Sequence, residues 1–161
     1  MRGWYDIAGL DMARRADEDG LNEARARVVA LIERERSQGI QPEKIFVGGF
    51  SQGGAVSLYS ALRHEESLAG IIALSTYLPM ADRLNLAGSP ANASIPIFMG
   101  HGQFDPLVPL SLAQQSLETL ESRGHPVSWR TYPIPHSVSL EEFEELSVWF
   151  RETMACSTLT C

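Results

Sequence analysis

No segment restricts the fold of this chain as tightly as Phe46-Val47-Gly48-Gly49-Phe50-Ser51-Gln52-Gly53-Gly54, in which four glycines bracket one serine. The pattern Gly49-x-Ser51-x-Gly53 follows the apolar residues 45–47 and opens a second apolar stretch, residues 55–62. Strand, sharp turn and helix in that order form the setting of a nucleophile elbow. The turn strains the backbone at the serine, so its neighbours must be small, which glycine satisfies. The hydroxyl then stands above the sheet at a helix N-terminus, where negative charge is favoured. A tight glycine turn with a solvent-facing serine is the plain alternative. The strand-to-helix context favours a nucleophilic Ser51 and a serine hydrolase.

Such a serine needs a base, and the base needs an orienting carboxylate. On α/β sheets of this kind they follow in the order serine, acid, histidine. Residues 95–99 read as a buried strand, and Asp105 falls in the loop after it. Residues 127–134 read as another strand, with Pro135-His136-Ser137 at its end. Both candidates sit just past strand carboxyl ends, where open α/β sheets place their ligands. The rivals are weaker. His64 among Arg63, Glu65 and Glu66, and His125 after Gly124, read as surface positions. His101 precedes the acid and reads as structural, shaping the Asp105 loop. Asp82 is the rival acid but lies in the irregular stretch 79–90.

The rest of the chain alternates helix and strand. Leu21, Ala24, Val28, Leu31 and Ile32 share one helical face, and Gly39 stops that helix. Residues 45–50 form the strand leading to Ser51, residues 52–63 the following helix, and residues 68–74 a buried strand. Leu110, Ala113, Leu117 and Leu120 mark a third helix that ends at Gly124. In the last helix Ser139-x-x-Glu142 forms a capping box, and Leu140, Phe143, Leu146 and Phe150 form the expected buried stripe. About four strands interleaved with helices imply an α/β fold, a mostly parallel sheet flanked by helices. At 161 residues, 44% hydrophobic and 20% charged, the chain is read as a single domain, residues 1–161, with a frayed tail at 155–161. The tail holds both cysteines, Cys156 and Cys161, read as free thiols of a reducing cytosol.

Three of these stretches carry a specific likeness. Gly48-Gly-Phe-Ser-Gln-Gly-Gly54, Gly100-His-Gly-x-x-Asp-Pro-x-Val-Pro109 and Pro135-His-Ser137 resemble the phospholipase/carboxylesterase family, which includes the acyl-protein thioesterases. Arg2-Gly-Trp-Tyr-Asp-Ile7 and Leu74-Ser-Thr-Tyr-Leu-Pro79 resemble further family signatures, so the likeness spans nearly the whole chain. It implies an α/β-hydrolase-type fold, with Ser51 as nucleophile, Asp105 as orienting acid and His136 as general base. It also implies a departure. Family members carry several strands and a His-Gly-Leu-Gly loop ahead of Trp-Tyr-Asp, and that loop supplies one oxyanion donor. Here Met1 directly precedes Arg2-Gly3-Trp4. The chain is therefore expected to be an N-terminally truncated form of the fold, keeping the Gln52 backbone N–H as oxyanion donor. Loss of one such donor costs about 10²–10³ in kcat. The strand leading to Ser51 is expected at a sheet edge, open to pairing with a second copy.

The implied reaction is carboxylic ester or thioester hydrolysis through an acyl-enzyme, with no metal and no cofactor. Leu78, Leu107 and Val108 flank the site and suit an acyl chain, while ordinary loop packing explains them equally well. The likeness points to short- to medium-chain esters, lysophospholipids or S-acylated proteins. A net charge of −7 without basic clusters argues against nucleic-acid partners, and no run has the length of a transmembrane helix. A cytoplasmic location is expected. An impaired fragment or interaction module retaining the triad residues is the alternative function. A peptidase or dienelactone-type hydrolase fits less well.

Overall fold

The computed structural model describes residues 18–83 and 88–158. The readings at residues 2–7 and at Cys161 lie outside them. In chain order the elements are α1 (Glu18–Ser37), β1 (Phe46–Phe50), α2 (Gln52–Ala61), β2 (Gly70–Leu74), β3 (Ile97–Gly102), α3 (Leu110–Ser122), β4 (Val127–Tyr132) and α4 (Leu140–Thr158). The four strands form one sheet in the order β1-β2-β3-β4, and every neighbouring pair is parallel. The α/β reading holds.

Strand side chains alternate between faces, and here the alternation sorts the helices into two layers. Val47, Ile71, Ala73, Ile97 and Met99 meet Leu58 and Leu62 from the α2 segment and Leu120 of α3. Leu21 and Ala24 of α1 extend this layer by packing on Ala55, Val56 and Tyr59 of α2. On the opposite face Trp149 of α4 lies against Phe46 of β1 and Phe98 of β3, with ring centroids 5.9 and 5.7 Å apart. β3 is buried along its whole length, as a strand covered on both faces must be.

The helix ends follow their sequence signals. Glu18 and Asp19 open α1, Arg34 and Arg36 close it, and Gly39 leaves it at φ 91°. Leu31, however, is 49% exposed rather than on the buried face. The last helix differs more. Leu140, Phe143 and Phe150 are 76, 58 and 39% exposed, and the side turned to the sheet carries Glu142, Leu146 and Trp149. Its rotation is set by Trp149, held between Phe46 and Phe98; of the expected stripe, Leu146 and the partly exposed Phe150 stay beside the sheet, while Leu140 and Phe143 turn outward. Helix α4 also runs to Thr158, so the front of the expected tail is helical. His64 and His125 are 5 and 7% exposed, not surface residues, and burial holds both imidazoles neutral by lowering their proton affinity.

Among the described residues β1 pairs with β2 alone, leaving its outer edge without a strand. A cavity of about 310 Å³ follows that edge, walled by α1 and α2 through Leu31, Ile32 and Val56. On the other face Phe150 packs at a tilt against Phe46, with ring centroids 4.5 Å apart, so both helix layers present apolar surface beside β1.

Candidate active site

Ser51 joins β1 to α2 with φ 54° and ψ −121°, a conformation costly for a residue with a side chain. The backbone around it is fixed on both sides: its N–H donates to the Leu74 carbonyl at 2.8 Å, and its carbonyl accepts from the Ala55 N–H at 3.1 Å. Gly49 makes the bend feasible, because a Cβ there would overlap the Gly53 backbone. Gly53 is different, since a Cβ at that position would meet no atom within 4 Å. The small-residue requirement of the turn therefore rests on Gly49 more than on Gly53.

Asp105 and His136 leave the same end of the sheet from β3 and β4. The ladder between those strands continues beyond their ends, with Gln103 N–H donating to Tyr132 O and Phe104 N–H to Ile134 O at 2.8 and 3.1 Å. The two loops are thereby laced together. Nδ1 of His136 lies 2.6 Å from Oδ2 of Asp105. Oδ1 of the same carboxylate accepts the N–H groups of Leu107 and Val108 at 2.8 and 2.9 Å. Burial alone would raise the Asp105 pKa, but the hydrogen bonds from His136, Val108 and Leu107 outweigh it and hold the carboxyl below its usual range. His101 supports the loop from beneath, its Nε2–H donating to the Val108 carbonyl at 3.0 Å; burial keeps it neutral.

The imidazole of His136 also packs at a tilt against Phe50, the residue before Ser51, with centroids 4.7 Å apart and planes at 51°. This contact brings the His136 loop over the elbow. A further tie comes from Ser75, at φ 47° just past β2, whose hydroxyl donates to the Ser137 carbonyl at 3.4 Å. Sequence reading gave Phe50 and Ser75 no role. The only sequence signals for them are the place of Phe50 directly before Ser51 and that of Ser75 within the Leu74-Ser-Thr-Tyr motif.

The remaining candidates separate. Leu78 and Val108 are 5 and 3% exposed and pack in the core, whereas Leu107 is 62% exposed beside the site, next to exposed Phe104. Asp82 lies exposed in the short turn Ala81–Arg83. Gln52 begins α2, which puts its backbone N–H one peptide beyond Ser51. Among the described residues no group of three or more His, Cys, Asp and Glu side chains could hold a metal, and no helix is long and apolar enough to cross a membrane.

A strained serine between a parallel strand and a helix, with acid and imidazole on later loops of the same rim, defines an α/β-hydrolase scaffold. The likeness to solved structures agrees. Arabidopsis thaliana SOBER1 superposes with a TM-score of 0.89 at 29% identity, over 96% of this chain and 75% of that one. Zea mays acyl-protein thioesterase 2 superposes with a TM-score of 0.79 at 29% identity, over 94% and 72%. The profile of the phospholipase/carboxylesterase family matches residues 1–154, and the chain belongs to that family. Among curated relatives, acyl-protein thioesterase 1 of Neurospora crassa is 40% identical over 96% of this chain, and that of Gibberella zeae 37% over 96%. The chain spans 66 and 69% of the lengths of these two relatives.

Proposed function

We propose that the chain is a serine hydrolase that cleaves carboxylic esters or thioesters through Ser51, His136 and Asp105. The observation that carries this reading is the 2.6 Å bond from His136 Nδ1 to Asp105, on a loop whose imidazole packs against Phe50, the residue before Ser51. With Nδ1 donating to the carboxylate, Nε2 is the ring nitrogen that takes the proton from the Ser51 hydroxyl as the oxygen attacks the carbonyl carbon. The oxyanion develops beside the N-terminus of α2, where the Gln52 backbone N–H serves as donor. His136 then gives its proton to the departing alcohol or thiol, leaving an acyl-enzyme. Water, deprotonated by the same nitrogen, releases the carboxylic acid and restores Ser51. The steps need neither metal nor cofactor.

For substrates, we infer acyl esters or thioesters of short to medium chain, with S-acylated proteins and lysophospholipids as the larger members of the class. The names of the acyl-protein thioesterase relatives support the thioester side of that reading. Leu107 is the residue proposed to meet the acyl chain, since it is exposed where Leu78 and Val108 are packed away. The working compartment proposed is the cytoplasm. Labelling by a fluorophosphonate probe tests the assignment: wild-type protein should label and Ser51→Ala should not. Equal labelling of the two removes Ser51 as nucleophile.

A second reading is favoured by the outer edge of β1. The strand that carries the nucleophile has no partner on that side among the described residues, and apolar helix surface flanks it. On this reading the chain is an impaired hydrolase or interaction module that associates through that edge, pairing with a second copy. Slow p-nitrophenyl ester turnover by a concentration-dependent dimer would favour this reading; fast turnover by a stable monomer would reject it.

A further inference from the structure

Ser139 and Glu142 have the spacing of a capping box, in which the serine takes the N–H three residues on and the glutamate returns to the serine N–H. The Glu142 N–H donates to Ser139 Oγ at 3.1 Å, and the Ser139 backbone N–H faces the Glu142 carboxyl, favouring its charged form. The carboxyl is nevertheless turned into the protein. The residue is 0% exposed, and burial outweighs that single backbone contact. A carboxyl that gives up solvent for so little is costly, and departures of this kind from local rules concentrate at functional sites.

The place it occupies is specific. Its Oε1 packs so closely on Gly100 that any Cβ there would overlap it. Gly100 is in β3, and its carbonyl accepts the N–H of Ser75, the residue tied to Ser137 beside the general base. Two residues along the same strand, Gly102 is covered by the carbonyls of Ile134 and Pro135. β3 thus meets the His136 loop at Gly102, which receives loop backbone, and the first turn of α4 at Gly100, which receives the Glu142 carboxyl.

We propose that Glu142 is a positioning residue for the general base: its buried carboxyl, wedged between the first turn of α4 and Gly100, sets how residues 133–139 carry His136 over Asp105. Ionisation would draw water towards the carboxylate and lift the helix start, loosening the imidazole. Burial raises the Glu142 pKa from 4.5 to about 7, so this change falls near neutrality. The surrounding groups do not compensate it. From β4, Tyr132 donates its hydroxyl to Glu145 at 2.7 Å, and Arg130 pairs with that same Glu145 at 3.3 Å. On β3, His101 is bonded to the Val108 carbonyl; on α4, Glu141 and Glu145 are like charges; in the loop, His136 is bonded to Asp105. None of them hydrogen-bonds the Glu142 carboxyl.

The link to turnover rests on the hydrolase reading above, so the test reads the imidazole directly. The downfield proton NMR signal of His136 Nδ1–H is followed from about pH 5 to about pH 9 in wild type and Glu142→Gln, with fluorophosphonate labelling rates measured alongside. The wild-type signal should weaken or shift with a midpoint near that of the Glu142 carboxyl, and its labelling rate relative to Glu142→Gln should fall about three- to tenfold over the same interval. The variant, neutral throughout, should hold its signal. Identical pH courses in the two proteins overturn the proposal. Should Glu142→Gln fail to fold, Glu142→Met replaces it. A carbon-13 titration of the Glu142 carboxyl in the wild type gives a second measurement, and a carboxyl that ionises while the His136 signal stays unmoved also overturns it. Absence of labelling at every pH defeats the hydrolase reading instead, and the imidazole signal still decides the role of Glu142.

Discussion

Nδ1 of His136 and Oδ2 of Asp105 are 2.6 Å apart, although they arrive on loops from two different strands. That bond assigns the imidazole its tautomer, and the two backbone N–H groups on the other carboxylate oxygen fix the acid. Asp105→Asn keeps an oxygen for those N–H groups but turns an amide N–H₂ towards Nδ1, which selects the wrong tautomer. A drop in kcat on the order of 10⁴-fold with an unchanged circular dichroism spectrum is the expected result. Retention of a tenth or more of the activity would remove Asp105 from the assignment.

The same carboxylate makes stability sensitive to acid. Its pKa is lower folded than unfolded, so the stability it contributes is full above the unfolded value, about 3.9, and is lost as pH falls through the folded one. Thermal melts of Asp105→Asn and wild type should therefore converge at strongly acidic pH. A constant gap between the two melting curves down to the acid limit would contradict this.

Glu142 acts in the opposite sense. Its folded pKa is raised, so the stability from its bound proton is full below 4.5 and is lost as pH rises through about 7. A shift of that size corresponds to about 3 kcal/mol. Glu142→Gln should cancel most of the loss, and denaturant midpoints taken at mildly acidic and mildly alkaline pH check it. Equal pH dependence in both proteins would show that the carboxyl does not titrate in this window.

Two glycines of the elbow should respond differently to alanine. At Gly49 the new methyl group would overlap the Gly53 backbone, which leaves no room without moving the turn. Loss of about 3 kcal/mol or more, or failure to fold, is expected. At Gly53 the space is open and the residue is helical, so Gly53→Ala should be neutral or stabilising by up to about 1 kcal/mol. Chemical denaturation of the pair distinguishes them, and the reverse ranking would mean that the turn is built otherwise.

Leu107 is exposed beside the acid, so Leu107→Ala should change stability by no more than about 0.5 kcal/mol. Its effect should appear in KM for p-nitrophenyl esters, rising a few-fold and more for longer acyl chains. A series of chain lengths with parallel KM values in both proteins would take Leu107 out of the substrate path.

The elbow, the alternation of strands with helices and the two later loops were legible because each depends on short-range chemistry. Glycines around Ser51 mark a bend, and the apolar runs before Asp105 and His136 mark buried strands. The face of α4 was not legible, because Trp149 between Phe46 and Phe98 sets its rotation through contacts far apart in the chain. Ser139 and Glu142 do meet as a cap, but the burial of the carboxyl was not legible: it depends on the absence of a side chain at Gly100, which no local pattern displays. His64 and His125 stand among charged and turn residues, yet tertiary packing encloses both. Leu78 and Val108 show the limit from the other side, since apolar residues near a site are as readily core as lining.

The sheet is laid down in strict chain order, β1 to β4, and α4 closes it. Ser51 therefore precedes β4 and the His136 loop in the chain, and a segment that stops before β4 holds the elbow without the imidazole. On the proposed mechanism such a segment could not activate its serine, so reactivity would belong to the assembled sheet and not to the elbow by itself.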